Sequence, residues 1–254
     1  MKPNFHFVCL RVFSWFLLQG ICYIELVEND LADNLNDIRR RISSAASRVG
    51  REAGKIKLVA VSKTHPATVL RQAIDAGAIV LGENKVQEAE SKILELGRDA
   101  AEWHLIGHLQ SNKARKAVQL FDVIQSLDSI ELAERLERIC EEEGRNEITV
   151  FIQVDLAGEE TKSGVPEVDL PSLIDYLQTC KHLRLSGLMI VPPYDDDLEN
   201  TRAYFKRLRE IRDHLLPNGE LSMGMSHDFE TAIEEGATVV RVGTAIFGKR
   251  NYQL

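Results

Sequence analysis

The stretch VVRVGTAIFG, residues 239–248, is a β-branched run that ends in a glycine, with a second glycine five residues later. A similar pattern occurs upstream: in LSMGMS, residues 221–226, a glycine and a serine follow an apolar run. Each segment is typical of a strand followed by a turn with accessible backbone N–H groups. Because these turns stand near the end of the sequence, they bear directly on the choice between the two common α/β folds.

Short β-branched runs alternate with helical patterns through most of the chain. The strand candidates are Leu58–Ser62, Ile79–Gly82, Trp103–Gly107, Val123–Ser126, Ile148–Asp155, Leu185–Ile190, Leu221–Met223 and Val239–Val242. Helical patterns between them include Ala67–Ala76, Lys85–Leu96, Ser129–Glu142 and Leu198–Leu215. Connections of this length favour parallel strands joined by right-handed crossovers. Eight such units predict a single (β/α)8 TIM barrel.

A doubly wound open sheet is the alternative fold. It usually carries a glycine fingerprint directly after its first strand. Here the first strand candidate runs into Ser62-Lys63-Thr64-His65-Pro66, which contains no GxGxxG motif. Barrels commonly bind phosphate in the loops after strands seven and eight, where this chain has its glycine-rich turns. The position of the glycines therefore favours the barrel.

Two segments precede the first strand candidate. Leu31, Leu35, Ile38 and Ile42 follow helical spacing, which predicts an extra N-terminal helix with Asp30 as a possible cap. Residues 1–25 form an apolar extension, and three interpretations of it stay open: a secretory signal, a membrane-surface anchor, or codons upstream of the true start. We assign residues 26–254 to the barrel.

Composition and cysteine usage limit the classes of function. The net charge of -8 argues against a nucleic-acid groove, since phosphate backbones are held chiefly by excess lysine and arginine. The four cysteines, Cys9, Cys22, Cys140 and Cys180, have neither disulfide nor zinc-site spacing, which indicates free thiols and a cytoplasmic location. Without a long heptad pattern, a monomer is expected.

Lys63 and the two glycine turns suggest complementary chemistry. A partly desolvated lysine at the carboxyl end of a barrel strand is nucleophilic toward an aldehyde, although an ordinary surface lysine is the alternative interpretation. Residues 222–226 and Gly243-Thr244 offer hydroxyls and N–H groups suited to a phosphate dianion, although each could be only a tight loop. An aldehyde and a phosphate together predict pyridoxal phosphate (PLP).

Six ordered motifs support this interpretation. They are Val59–Thr64, Gly82–Glu88, Trp103–Lys113, Thr161–Gly164, Ser222–Ser226 and Arg241–Gly248. From about Leu31 to Tyr252, the chain resembles the YggS-type PLP homeostasis proteins. The resemblance implies the barrel of alanine racemase, PLP binding, and a role in intracellular PLP homeostasis and cofactor supply to apo-enzymes, without robust catalysis.

The resemblance also implies roles for individual residues. Lys63 would be the Schiff-base lysine, Asn84 would lie beside the cofactor ring, and Arg241 would face the pyridine nitrogen. The cofactor phosphate would lie on Ser226, Gly243 and Thr244, with Met225 at the same turn.

Three positions depart from the family pattern, and the histidines near Gly107 lack the spacing of a metal site. His108 and Lys85 replace residues that are commoner in the family, and His227 stands where an acidic residue is frequent, which puts the surroundings of the phosphate turn in doubt. His104 and His108 bracket Gly107 with no carboxylate or cysteine at ligand spacing, so no metal is expected.

Two competing hypotheses belong to other functional classes. A single-domain PLP-dependent amino-acid racemase would use Lys63 as its sole base, because the sequence has no second domain that could supply an opposing tyrosine. A phosphate-binding barrel enzyme would never form a Schiff base. Proton exchange at an amino-acid α carbon would support the racemase. Failure of Lys63 to form a Schiff base would leave only the phosphate-binding barrel enzyme.

Overall fold

The computed structural model describes residues 31–158 and 163–248, in which eight parallel strands close a barrel and a ninth strand, of two residues, pairs with the end of one of them. The strands are β1 Lys57–Val61, β2 Val80–Glu83, β3 Glu102–Leu105, β4 Val123–Leu127, β5 Ile148–Asp155, β6 Val165–Pro166, β7 Leu183–Met189, β8 Glu220–Ser222 and β9 Val239–Val242. β1 pairs with both β2 and β9, and β4 pairs with β5, so the sheet has no break. The TIM barrel is confirmed, and all eight strand candidates correspond to barrel strands.

The short strand β6 was not predicted from the sequence. Val165 and Pro166 pair with the last residues of β5, outside the main sheet. Two residues are too few to generate a period-2 pattern, which explains why the sequence gave no signal. The predicted extension 1–25, the cap Asp30, and Thr161 and Lys162 of the fourth motif lie outside the described residues.

Helices surround the barrel in the order expected for βα units. They are α1 at residues 31–48, α2 Ala67–Asp75, α3 Val86–Leu96, α4 Ala114–Leu120, α5 Ile130–Glu143, α6 Leu170–Thr179, α7 Leu198–Leu215, α8 Phe229–Glu234 and α9 Thr244–Phe247. Sequence signals account for several of their ends. Ser129 accepts a hydrogen bond from the N–H of Leu132 at the start of α5, and Gly144 ends that helix in the left-handed conformation.

Helix α1 completes the outer ring beside the first and last barrel strands. Its apolar stripe, which includes Leu35 and Ile38, is buried. Arg41 forms an ion pair with Glu230 of α8 at 2.8 Å, and Arg39 donates to the carbonyl of Gly77, just after α2, at 2.7 Å. The helix predicted before β1 therefore connects the last βα unit with the first.

Side chains fill the barrel interior. One buried layer takes a single residue from each of six strands: Val59, Val80, Val123, Phe151, Met189 and Val239. Such a layer makes the barrel a packed core rather than a pore, so binding chemistry belongs at its ends. In the described part of the chain, no helix is both long enough and apolar enough to cross a bilayer.

Candidate functional site

The predicted site residues lie at the carboxyl ends of four neighbouring strands. In the barrel, β8, β9, β1 and β2 are consecutive. The residues are Met225 and Ser226 after β8, Arg241 within β9, Gly243 and Thr244 after β9, Lys63 after β1, and Asn84 after β2. All seven positions are thus brought to one side of the barrel mouth, and their roles in binding stay predictions.

Lys63 lies in the turn that joins β1 to α2. The lysine is half-buried, and the next residue, Thr64, has a φ of 69°, a left-handed conformation that β-branched residues rarely adopt. Close by, the ring of His65 stacks on the ring of Phe247 in α9, with centroids 4.9 Å apart. The turn that carries Lys63 is therefore held against the segment that follows β9.

Three charged side chains from β2 and α3 brace the turn after β1 from outside the barrel. Lys92 Nζ donates to the backbone carbonyl of Ser62 at 2.9 Å. The same ammonium group donates to Glu83 Oε1 and Glu88 Oε1, at 2.7 Å in each case. Glu88 also accepts a hydrogen bond from the backbone N–H of Thr64. Both peptide groups that flank the lysine of this turn are thereby fixed.

The brace has a buried carboxylate at its centre. Glu83 has no exposed surface, and desolvation raises its pKa above the ordinary value, although the charge of Lys92 acts in the opposite direction. Within the described residues, Glu83 Oε2 has no hydrogen-bond partner. Lys92 is itself only 5% exposed. This ammonium group therefore pairs with both carboxyl groups of the brace in a setting where an unpaired charge would be costly.

Asn84 brings an unsatisfied polar atom to the mouth. Its Oδ1 is buried and lacks a hydrogen-bond partner in the part of the chain that the structure describes. The backbone of Gly107, after β3, approaches so closely that a Cβ there would lie 2.3 Å from the carbonyl oxygen of Asn84. Glycine is therefore required beside Asn84, and an acceptor is available to a ligand at this position.

Ser226 connects the two glycine-rich turns. Its Oγ accepts hydrogen bonds from the backbone N–H groups of Gly243 at 3.1 Å and Ala245 at 3.4 Å. A serine hydroxyl that accepts in this way still has its own proton to donate. The turns after β8 and β9 therefore form one unit that presents a hydroxyl donor.

The turn after β8 is shaped by Gly224 and Asp228. Gly224 has a φ of 92°, and a Cβ at this position would lie 2.6 Å from Cβ of Ala232. Asp228 accepts a hydrogen bond from the N–H of Met225 at 2.6 Å, and its burial raises its pKa. His227, whose presence cast doubt on this turn, is exposed, so the neighbouring aspartate stabilises the turn instead.

Arg241 is buried in the barrel interior. Its Nη1 donates to Ser222 Oγ at 2.6 Å, and its Nη2 donates to the carbonyl of Ile190 at 2.7 Å. Burial lowers the pKa of Arg241 to about 10, with the charge of Asp228 acting in the opposite direction. The guanidinium group therefore remains charged at neutral pH.

The two histidines near Gly107 have separate environments. His104 is buried and contacts Glu102 and Gln125, whereas the exposed His108 lies 3.1 Å from Asp128. In residues 31–158 and 163–248, there is no cluster of three side chains able to bind a metal ion.

Some polar residues of the site were assigned wrongly or missed. Ser222 was grouped with the phosphate turn, but its hydroxyl lies inside the barrel between Arg241 and Gln125. Gln125 and the brace residue Lys92 received no role. For Gln125 a signal existed, because it alternates with Val123 along β4 and therefore shares that residue's inward face.

Comparison with known proteins is consistent with this arrangement. The family model for the alanine racemase N-terminal domain matches residues 34–251. The pyridoxal phosphate homeostasis protein of Aquifex aeolicus (strain VF5) is 43% identical over 229 residues, covering 87% of this chain and 98% of the relative. That of Escherichia coli (strain K12) is 42% identical over 233 residues, covering 88% and 98%.

Solved structures agree with these relatives. PipY of Synechococcus elongatus PCC7942, solved with PLP bound, is 40% identical, with a TM-score of 0.75 and coverage of 86% of this chain and all of PipY. Alanine racemase from Corynebacterium glutamicum is 21% identical, with a TM-score of 0.64 over 89% of this chain and 63% of the racemase, which shows a shared fold alone. The resemblance found in the sequence is confirmed: the chain belongs to the family of pyridoxal phosphate homeostasis proteins, built on the alanine racemase N-terminal barrel.

Proposed function

We propose that this protein binds PLP covalently through Lys63 and serves intracellular PLP homeostasis and cofactor supply, without robust catalysis. The observation that carries the proposal is the placement of a half-buried lysine after β1 next to the joined turns after β8 and β9. A lysine amine condenses reversibly with an aldehyde, and hydroxyl and N–H donors bind phosphate. PipY, a relative solved with PLP bound, supports the same ligand class.

The residues at the mouth fit this cofactor. The buried Oδ1 of Asn84 lacks a partner among the described residues and so has acceptor capacity for a bound group. Ser226 retains a hydroxyl proton after accepting from the backbone, which suits a phosphate oxygen. Gly243 and Thr244 add small groups at the same turn. Each of these contacts depends on backbone that the glycines hold in place.

Arg241 favours holding the cofactor over catalysis. PLP supplies an electron sink whose strength depends on protonation of its ring nitrogen. The charged, buried guanidinium of Arg241 is a donor without acceptor capacity, so it would hold that nitrogen unprotonated. A residue in this role weakens reactions that store negative charge in the ring. It is compatible with slow proton exchange, the chemistry of the racemase alternative.

The wider assignments belong to the same proposal. Residues 26–254 constitute the PLP-binding barrel, and the protein acts as a cytoplasmic monomer that delivers PLP to PLP-dependent apo-enzymes. The acidic net charge of -8 supports a small-molecule and protein partnership rather than one with nucleic acid.

The test is covalent mapping of the cofactor. Wild-type protein mixed with PLP should develop the visible absorption band of covalently bound PLP, and borohydride reduction followed by peptide mapping should locate the label on Lys63. Lys63→Ala should lack the band. Lys85→Ala, at an exposed lysine on the same rim, should keep the label on Lys63. Label distributed over surface lysines, or no band in the wild type, would contradict the proposal.

A second measurement separates binding from catalysis. PLP-loaded protein is incubated with an L-amino acid in deuterated water, and deuterium at the α carbon is followed together with stereochemistry. Retention of both proton and stereochemistry supports the carrier. Rapid exchange that disappears in Lys63→Ala would favour the racemase instead.

A further inference from the structure

A line of buried polar side chains crosses the barrel interior from Arg241. The guanidinium donates to Ser222 Oγ at 2.6 Å, and the serine hydroxyl donates to Gln125 Oε1 at 2.6 Å. Gln125 Nε2 lies 2.7 Å from His104 Nδ1. All four residues are at most 3% exposed, so these groups are shielded from bulk water. We name the line formed by Arg241, Ser222, Gln125, His104 and Glu102 the interior relay.

The relay ends at the opposite face of the barrel. His104 Nε2 lies 2.8 Å from Glu102 Oε1, and Lys57 Nζ lies 2.9 Å from the same oxygen. Lys57 and Glu102 stand at the amino ends of β1 and β3 and line a cavity of about 570 Å³ at that face. The relay therefore connects a charged group near the proposed cofactor with an ion pair beside solvent.

The donors and acceptors of these side chains allow the hydrogen bonds of the interior relay to run in only one direction. Arginine can only donate, so Ser222 accepts from Arg241 and directs its own proton to the carbonyl oxygen of Gln125. The amide group of Gln125 then faces His104 with its N–H donors, and His104 Nδ1 must be an acceptor. The proton of the neutral imidazole therefore lies on Nε2, where Glu102 accepts it. Burial, which lowers the pKa of His104, is consistent with a neutral ring.

The opposite tautomer of His104, with its proton on Nδ1, is incompatible with this series of hydrogen bonds. A proton on Nδ1 would face the N–H donors of Gln125. Turning the amide would relieve that contact but would direct its donors at Ser222, whose hydroxyl proton would then lose its acceptor. Because these groups are shielded from bulk water, each lost bond leaves a buried polar group unsatisfied, which is costly. The acceptor at Glu102 thus determines where Ser222 directs its hydroxyl proton, and with it which lone pairs of the serine oxygen face the guanidinium.

We propose that His104 is a positioning residue for Arg241: held by Glu102 as the Nε2–H tautomer, it orients Gln125 and Ser222 so that the serine oxygen fixes the guanidinium. The consequence for PLP rests on the proposed function, because Arg241 is the residue expected to face the cofactor. The relay itself is a property of the unliganded chain and can be tested without PLP.

The decisive pair of variants is Glu102→Leu and Glu102→Gln. The leucine removes the acceptor for His104 Nε2–H, whereas the glutamine keeps an acceptor oxygen and removes only the charge. Multiple-bond ¹H–¹⁵N NMR of unliganded protein should give His104 protonated on Nε2 in the wild type and in Glu102→Gln, and a shift toward Nδ1–H in Glu102→Leu. Exchange of the Arg241 guanidinium protons with solvent should be faster in Glu102→Leu alone.

A cofactor measurement follows from the same pair. Glu102→Leu should weaken PLP binding about tenfold, which is the effect of one lost buried hydrogen bond. Glu102→Gln should retain the affinity of the wild type. The proposal is overturned by Nδ1–H in the wild type, a result that needs no variant to fold, or by unchanged His104 and Arg241 signals in Glu102→Leu. If wild-type protein fails to bind PLP, the proposed function fails, yet the two NMR readouts still decide the relay.

Discussion

Lys92 Nζ lies 2.9 Å from the carbonyl oxygen of Ser62, so a buried ammonium group on α3 is hydrogen-bonded to the residue immediately before Lys63. Lysine is almost never fully buried unless it is paired, and here Glu83 and Glu88 supply the pairing. The position of the turn after β1 therefore depends on a charge cluster formed by α3 and the end of β2.

Lys92→Met should destabilise the fold severely. The apolar side chain retains most of the volume but leaves the buried carboxylate of Glu83 without its cation, a change that costs about 3–5 kcal/mol for buried pairs. Urea unfolding measures the loss. Lys116→Met is the matched control, because Lys116 pairs with Glu90 at the surface, 2.9 Å away, and should have only a minor effect. Equal losses in the two variants would refute the brace.

The barrel was predictable from the sequence, whereas the brace was not. Strands such as Val239–Val242 are rich in β-branched residues and buried on both faces, and that local pattern is visible in the sequence. Lys92 lies in a helix where a lysine is ordinarily solvated, and nothing local distinguishes it from Lys85. Its burial follows from the packing of α3 on β2, which is a tertiary contact. For the same reason, the sequence suggests a role for Lys63 but none for the residues Glu83, Glu88 and Lys92 that hold its turn in place.

The hydrogen bonds of the interior relay could not be predicted from the sequence either. His104 and Gln125 belong to the consecutive strands β3 and β4, whereas Ser222 lies in β8, 97 residues after Gln125. Alternation places each on the inward face of its strand, but only the register of the closed barrel determines which of them meet. A sequence can therefore identify inward polar residues without identifying their hydrogen bonds.

Gly224→Ala should both destabilise the protein and weaken PLP binding. The new Cβ would lie 2.6 Å from Ala232 Cβ and 2.9 Å from Phe229 Cα, in a backbone conformation with φ of 92°. Strain alone costs on the order of 1–2 kcal/mol, and the contact with α8 adds to it. Gly97→Ala is the control, since its φ of 98° is similar but its Cβ would meet nothing within 4 Å. Thermal unfolding and PLP titration of both variants separate strain from collision; equal losses would exclude the collision.

Ser226→Ala should reduce PLP affinity and cost about 1 kcal/mol of stability, because the N–H groups of Gly243 and Ala245 lose their acceptor. Removing the hydroxyl takes a donor from the expected phosphate and releases the N–H of Gly243, which can then bond to water or ligand. Hydrogen bonds to charged groups contribute about 1.5–3 kcal/mol, so affinity should fall roughly 10- to 100-fold. Ser129→Ala, which removes the N-cap of α5, should cost about 1 kcal/mol of stability while PLP affinity stays constant. Unchanged affinity in Ser226→Ala would remove Ser226 from the phosphate site.

Acid should destabilise the protein in two steps that begin at the relay. Burial lowers the pKa of His104, and hydrogen bonds from His104 and Lys57 lower the pKa of Glu102 to about 2 from its ordinary 4.5. At both groups the folded state binds fewer protons than the unfolded chain, so stability falls as the pH falls. The loss from His104 starts below about pH 6.5, where the unfolded histidine becomes protonated. The loss from Glu102 follows as the pH falls from about 4.5 toward 2.

Unfolding in urea at a series of pH values between 7.5 and 4 tests the first step directly. His104→Gln removes the titrating ring, so the free energy of unfolding of this variant should decline less between pH 7 and 5 than that of the wild type, even if the variant is less stable overall. The slope rather than the absolute stability is the readout, because a purely structural role for His104 would lower the curve without changing its pH dependence. Parallel curves for the two proteins would mean that His104 has the same proton affinity in the folded and unfolded chains, and a buried neutral imidazole as a member of the relay would then be contradicted.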